Sequence, residues 1–433
     1  MSADLAVGLV PAPGGAPAGP GVLTPGGFTI SALAARLAEQ GTPENTHRNR
    51  RSRADLYAKW CRDHGRIGTD DGVLADYTAA LVARQHPAET ITSYLATLTH
   101  LRAVSGRPVR ADEREVIQRI INARMLQEAT DPSGAGDALQ VTECTRDNLR
   151  AMLAKLDRAT VEGKRAALAL TLAWYLGARS CEVPALAVRD VTEVLATYRD
   201  PATGRRVQRP GLLVLIRRSK TNPYGRKVDR VRILAQDDDT CPVAALREWI
   251  AVLVDQGADL EGPLLRRVKR GRLSMAGRPP KDPRRAGGVQ DRWMRNLIAS
   301  AAAAADLTQE LTATERRLLS TRDEERELAA AADTAEREAI RIRRRLARRA
   351  LRRSRDRYAG QSMRRGQNRE LARRRVPLHI REQHLRYVPG SRAVARYGVD
   401  LVDWDDNPTI PAAAGPRREV PPGPVEPGGP ALR

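Results

Sequence analysis

Long apolar runs are missing from this 433-residue chain. None approaches the roughly 18 residues that cross a bilayer, which argues against a membrane-spanning protein of the helical kind. The opening residues, MSADLAVGLVPAPGG, carry neither a basic leading segment nor an apolar core of signal-peptide length. No secretion signal is therefore expected, and the cytoplasm is the expected compartment. Cysteine is sparse: the four residues Cys61, Cys144, Cys181 and Cys241 show no CxxC spacing and no neighbouring histidine pair. That pattern argues against a zinc site or a disulfide frame and for small buried residues. A glycine-rich phosphate loop and a cluster of carboxylates are lacking too, so neither a nucleotide cofactor nor a metal is expected.

What the chain has in excess is positive charge. The formal net charge is +22 and the sequence pI is about 10.7. So large a surplus repels itself in a compact fold, and a polyanion that gives up condensed counterions on binding relieves it. Nucleic acid is the partner this composition favours.

Proline, glycine and alanine dominate residues 1–27, and proline is frequent again over 407–433; both ends read as disordered tails. FTISALAARLAEQ (28–40) has the pattern of a short amphipathic helix, followed by helical stretches at 46–64, 70–84, 88–105 and 112–126. Leu56, Trp60, Ile91, Tyr94, Leu95, Leu98 and Leu101 recur there at three- and four-residue steps, describing a small helical domain over 28–127. EATDPSGAGDALQVT (128–142) is linker chemistry. Two further helices, 145–156 and 161–176, precede three runs with strand character, VTEVLATYRD, GLLVLIRRSK and KVDRVRIL, separated by the turn segments DPATG and TNPYG. They predict a three-stranded antiparallel sheet. A helix then opens at Cys241 and Pro242.

Residues 289–359 contain no glycine or proline. Leu311, Leu318, Leu328, Ala332, Ala335, Ala339, Ile342 and Leu346 fall on an approximate heptad seam, which predicts one long helix or a helical hairpin. Its second half, RIRRRLARRALRRSRDR, fits a solvated basic face, a phosphate-tracking arm or a partner coiled coil equally well.

Four features carry chemistry. In GARSCEVPALAVRDV (177–191), Arg179 has Glu182 three residues on, Leu186 seven on and Asp190 eleven on; taken alone, this is an Arg–Glu pair bracing a helix end. Lys220 lies at the tip of a predicted hairpin, Arg364 in QSMRRG, and Tyr397 in PGSRAVARYGVD. In that order they resemble the tyrosine recombinase, or phage integrase, family, in its actinobacterial branch, over residues 28–306 and 359–410. TCPVAALREWI (240–250), VDWDDNP (402–408) and the helix around ETITSYLATLTHLRAVSGRP are similar to segments of the same branch.

The resemblance implies a mainly α fold with a small antiparallel β-sheet: a helical core-binding domain (28–127), a linker (128–142) and a mixed α/β catalytic domain (143–406). A long helical insertion at about 306–358 lies outside the family pattern. It also implies cleavage of double-stranded DNA through a 3′-phosphotyrosine, a homotetramer on DNA, and an accessory DNA-bending or excision factor. Arg179 and Arg364 would clamp the phosphate, Lys220 would protonate the leaving 5′ oxygen, and Tyr397 would attack; the rival nucleophile is Tyr387. Two positions depart from the pattern: Gln361 stands where histidine is usual, and Tyr387 where histidine or tryptophan is. Gln donates a hydrogen bond but holds no proton at neutral pH. His379 and His384 are off register and read as surface or capping residues, and GQNRELARRR is polar for a buried helix. A catalytically impaired DNA-binding protein on the same fold, and a basic helical scaffold protein, are the competing readings.

Overall fold

The computed structural model describes residues 22–23, 29–41, 44–131, 139–219, 222, 224–274, 286–388 and 390. Of the tails expected at 1–27 and 407–433, only Val22 and Leu23 fall among these residues, and they form a strand rather than part of a disordered tail. Strands β1 (Val22–Leu23) and β2 (Thr29–Ile30) pair antiparallel ahead of α1 (Ala32–Gln40). The helix expected there does form, yet Leu33 and Leu37 are both exposed.

Helices α2 (Glu44–Asp63), α3 (Val73–Ala83), α4 (Ala88–Val104) and α5 (Ala111–Thr130) enclose a first core of Trp60, Leu74, Tyr77, Ile91, Leu95, Leu98, Ile117 and Ile121. Arg102 is buried between the loops and donates to the carbonyls of Thr69, Asp70 and Arg107. Leu56, expected inside, is exposed, because it lies on the outer side of α2 from Tyr57, Trp60 and Cys61. Helix α5 runs to Thr130, past the expected domain edge at 127.

A second core surrounds α7 (Val161–Tyr175), which is preceded by α6 (Arg146–Ala154). From Ala166 to Tyr175 every α7 residue is buried, so this helix is the axis of the unit. Strands β3 (Val191–Arg199), β4 (Arg206–Ile216) and β5 (Asp229–Leu234) form the expected antiparallel sheet in the order β3-β4-β5. Val191 pairs with Val214, and Val214 with Val231. Leu212, Val214, Ile216, Val231 and Ile233 alternate onto its buried face, each contributing about 1.5–3 kcal/mol by leaving water. Helix α8 (Pro242–Asp255) starts at Cys241 with proline in its first turn and buries Trp249, whose indole donates to the Leu264 carbonyl at 2.7 Å. The short hairpin β6 (Val268–Lys269) and β7 (Arg272–Leu273) and then α9 (Asp291–Ala304) follow.

The single long helix or hairpin expected over 289–359 is instead broken. After α9 the chain forms α10 (Ala313–Leu319), α11 (Thr321–Ala330) and α12 (Thr334–Arg353). The breaks come from side chains that bond the backbone better than a continuing helix would: Thr312, Ser320 and Asp333 each cap the third residue beyond them. Nor does the heptad seam form. Ala332, Ala335, Ala339 and Leu346 are exposed, whereas Ala331, Ile340 and Arg344 are buried. Arg344 binds the Glu327 carboxylate and the carbonyls of Arg317, Leu318 and Ser320. Helix α12 also reaches the first helical unit, through the Arg84–Glu338 ion pair at 3.3 Å and a hydrogen bond from Arg345 to the Arg84 carbonyl.

Helices α13 (Ser362–Arg373) and α14 (Leu378–Leu385) complete the described fold. Among the described residues no helix is long and apolar enough to cross a membrane. Three cysteines are buried as expected, but Cys181 is exposed, in the turn that follows α7.

Candidate active site

The site is built on the carboxyl end of α7. Gly177 adopts φ +50°, its amide donates to Trp174 and that of Ala178 to Ala173, which closes the helix in a Schellman motif. Leu385 packs so close that a Cβ on Gly177 would fall 2.2 Å from it. The motif leaves the carbonyls of Tyr175, Leu176 and Gly177 facing α13 and α14. Each accepts a hydrogen bond from a side chain there: His384 to Tyr175 at 2.9 Å, Arg386 to Leu176 at 2.9 Å and Arg364 to Gly177 at 2.9 Å.

Glycines also seat α13. A Cβ on Gly360 would lie 2.8 Å from Ser180, beside Arg179, and one on Gly366 would lie 1.7 Å from the Cys144 carbonyl oxygen. The polarity of this helix does not keep it at the surface: Ser362, Arg364, Gln367 and Asn368 are all buried with Met363. Gln361 occupies the position before the first turn, half-buried, and its side chain makes no capping bond.

Arg364 is 1% exposed. Its guanidinium carbon sits 4.0 Å from the centre of the Tyr387 ring, a cation–π contact, and its Nη2 finds no hydrogen-bond acceptor among the described residues. Burial pushes its pKa down to about 10, Tyr387 opposes the shift, and the positive charges of Arg179 and Arg386 add to it. It remains charged at neutral pH.

Glu182 balances the neighbouring charges. Its carboxylate accepts from the Arg179 amide at 3.0 Å, from Arg179 Nη1 at 2.8 Å and from Arg386 Nη2 at 2.6 Å. Burial would raise its pKa, but Arg386 and Arg179 outweigh that and hold it below the usual carboxylate range. Two guanidinium groups thus meet one carboxylate, and Arg364 adds a third positive charge beside them, an arrangement suited to an anion. Arg386 is itself held at φ +57°, a left-handed conformation that its buried partners enforce.

His384 is half-buried rather than a surface residue, and it takes the capping role expected, its ring bonding the last carbonyl of α7. Packing of α14 on α7 encloses it, and because a carbonyl only accepts, its Nε2 must carry the proton it shares with Tyr175. Burial lowers its pKa, the Tyr175 bond opposes this, and Arg386 and Arg364 add to the lowering, so the ring is neutral at pH 7. His379 is exposed, as expected.

Arg179, Arg364 and Tyr387 are therefore brought together, with Gln361 at the adjoining head of α13. Lys220 and Tyr397 lie outside the described residues. Of the described residues nearby, Ser219 and Asn222 pair through their backbones, and the Asn222 side-chain amide donates to the carbonyls of Arg217 and Lys227. Sequence reasoning missed Arg386; its one signal is adjacency to Tyr387, which says nothing about a carboxylate at position 182.

No protein-family model matches the sequence, and no curated protein does. Among solved structures, the chain is similar to a lambda integrase dimer bound to a COC′ core site. The two share 13% identity over 84% of this chain and 74% of that one, with a TM-score of 0.39.

Proposed function

We propose that the chain is a site-specific DNA recombinase that cleaves and rejoins duplex DNA through a 3′-phosphotyrosine. The observation that carries this reading is the buried arginine cluster, with more positive charge than Glu182 balances and one Arg364 nitrogen that has no acceptor among the described residues. A phosphodiester supplies both the missing charge and the missing acceptor. Arg179 and Arg364 bind its non-bridging oxygens, where planar guanidinium groups give directed hydrogen bonds. The Tyr397 oxygen attacks phosphorus, the bond to the 5′ oxygen breaks, and Lys220 gives that oxygen a proton. The Tyr397 proton passes to water, because Gln361 cannot take it. Reversal of these steps on a second duplex, within a homotetramer, exchanges strands.

The test is a suicide substrate nicked just beyond the cleavage site. The wild-type chain forms a covalent DNA adduct, and Tyr397→Phe forms none. Arg364→Ala slows adduct formation about 10²–10³-fold, as loss of one transition-state donor does elsewhere. A wild-type chain that binds DNA tightly and yields no adduct is instead a DNA-binding protein on this fold. The neutral His384, which spends Nε2 on Tyr175, is the observation that favours that second reading.

A further inference from the structure

A second group of cations lies on the other side of α7, where LLRRVKRGRL (264–273) turns back on itself. Arg270 and Gly271, at φ +55° and +74°, make the tight turn between β6 and β7. Arg165, in the second turn of α7, donates from Nη1 to the Arg266 carbonyl at 2.9 Å, and its guanidinium carbon lies 4.6 Å from the Trp293 ring centre. These elements border an open surface cavity of about 730 Å³, within the range of small-ligand sites. Arg165, Arg267, Lys269 and Arg292 line it together with Trp293 and Asn296, and among the described residues no Asp or Glu does.

Exposed Lys269 and Arg292 alone would be ordinary solvated cations. Arg165 is different: it is only 8% exposed, and its Nε has no acceptor among the described residues. Burial pushes its pKa down to about 10. The one carboxylate that opposes this shift, Glu162, is engaged with the Gly271 amide at 3.0 Å. In the insertion, by contrast, Arg343, Arg348 and Arg355 all meet carboxylates.

We propose that this cavity binds a phosphate ester, with Arg165 and Arg292 as its guanidinium donors and Lys269 as a mobile charge. The phosphate comes from a nucleic-acid backbone or from a small organic phosphate. Helix α9 favours the first source: one turn beyond Arg292, Arg295 approaches Gly360, with 3.4 Å between its Cγ and the position of a Cβ there. Cavity and arginine cluster thus flank the same helix, and a duplex held at one is anchored by the other. That arm rests on the DNA reading above; the small-phosphate arm does not.

The experiment uses the full chain and the Lys269→Glu/Arg292→Glu variant, both exposed positions outside the arginine cluster. A labelled duplex is titrated at several salt concentrations, and melting is followed with and without inorganic pyrophosphate. For a backbone phosphate, the variant binds duplex about tenfold or more weakly, with a salt slope shallower by about 2, at an unchanged melting temperature. For a small phosphate, pyrophosphate raises the melting temperature of the wild type only, and duplex affinity is the same for both proteins. Equal duplex affinity and slope, with no pyrophosphate effect on either protein, overturns the proposal. Tyr397→Phe retains the binding, and a wild-type chain that forms no covalent adduct sinks the recombinase reading without touching this one.

Discussion

Arg386 and Glu182, 204 residues apart in the chain, meet at 2.6 Å with both side chains almost wholly buried. Neither charge can stay in that position without the other. Glu182→Ala leaves Arg386 and Arg179 facing each other in a dry site and is expected to cost about 3–5 kcal/mol. Denaturant unfolding of Glu182→Ala, Arg386→Ala and the double variant checks this: the double variant loses less than the sum of the two. Additive losses would mean that the pair is uncoupled.

Helix α13 is expected to tolerate change on one side only. Gly366→Ala places a methyl group 1.7 Å from the Cys144 oxygen and destabilises by more than about 3 kcal/mol, because the clash is with backbone that cannot turn aside. Arg373→Ala, at the exposed end of the same helix, stays within about 0.5 kcal/mol. Thermal melting of the two variants separates these outcomes.

Stability should depend on His86. Burial lowers its pKa from 6.5 to about 4, and Arg345, Arg84 and Arg124 push in the same direction. Between those two values the unfolded chain binds a proton that the folded chain refuses. The contribution is therefore intact above about pH 6.5 and is lost as pH falls toward about 4. Since the ring is only partly enclosed, the loss is of the order of 1 kcal/mol after solvent screening. His86→Gln flattens the stability profile in that window; a profile identical to wild type counts against the assignment.

Arg344 holds the insertion together. Replacing it with Met removes the ligand of three carbonyls and of Glu327, so the amides of α10 and α11 lose hydrogen-exchange protection while those of α7 keep theirs. Loss of protection in α7 as well would mean that the insertion and the second core unfold as one.

The helices around Trp60 and Leu95, and the strands around Val214, were legible because burial there follows a simple period of apolar residues. Cys241 and Pro242 marked the start of α8 for the same local reason. The insertion was not legible by periodicity: its inward positions include Arg344, which counts as polar in any hydrophobic pattern, and its breaks lie at caps within a polar run. Arg179 and Arg364 were singled out by their order along the chain, and the structure places them near one another. The Glu182–Arg386 pair and the seat of His384 depend on α14 packing against α7, and no spacing encodes that. Of the remaining expected site residues, Lys220 and Tyr397 lie outside the described residues.

The three carbonyls at the end of α7 make the recognition of α13 and α14 one-sided. A main-chain oxygen is the same whatever side chain its residue bears, so conservative changes at Tyr175 or Leu176 leave the bonding pattern intact. Changes at Arg364, His384 or Arg386 erase it. A saturation scan of the two surfaces would therefore be lopsided, with the instructions for assembly written on the segment that docks and almost none on the helix that receives it.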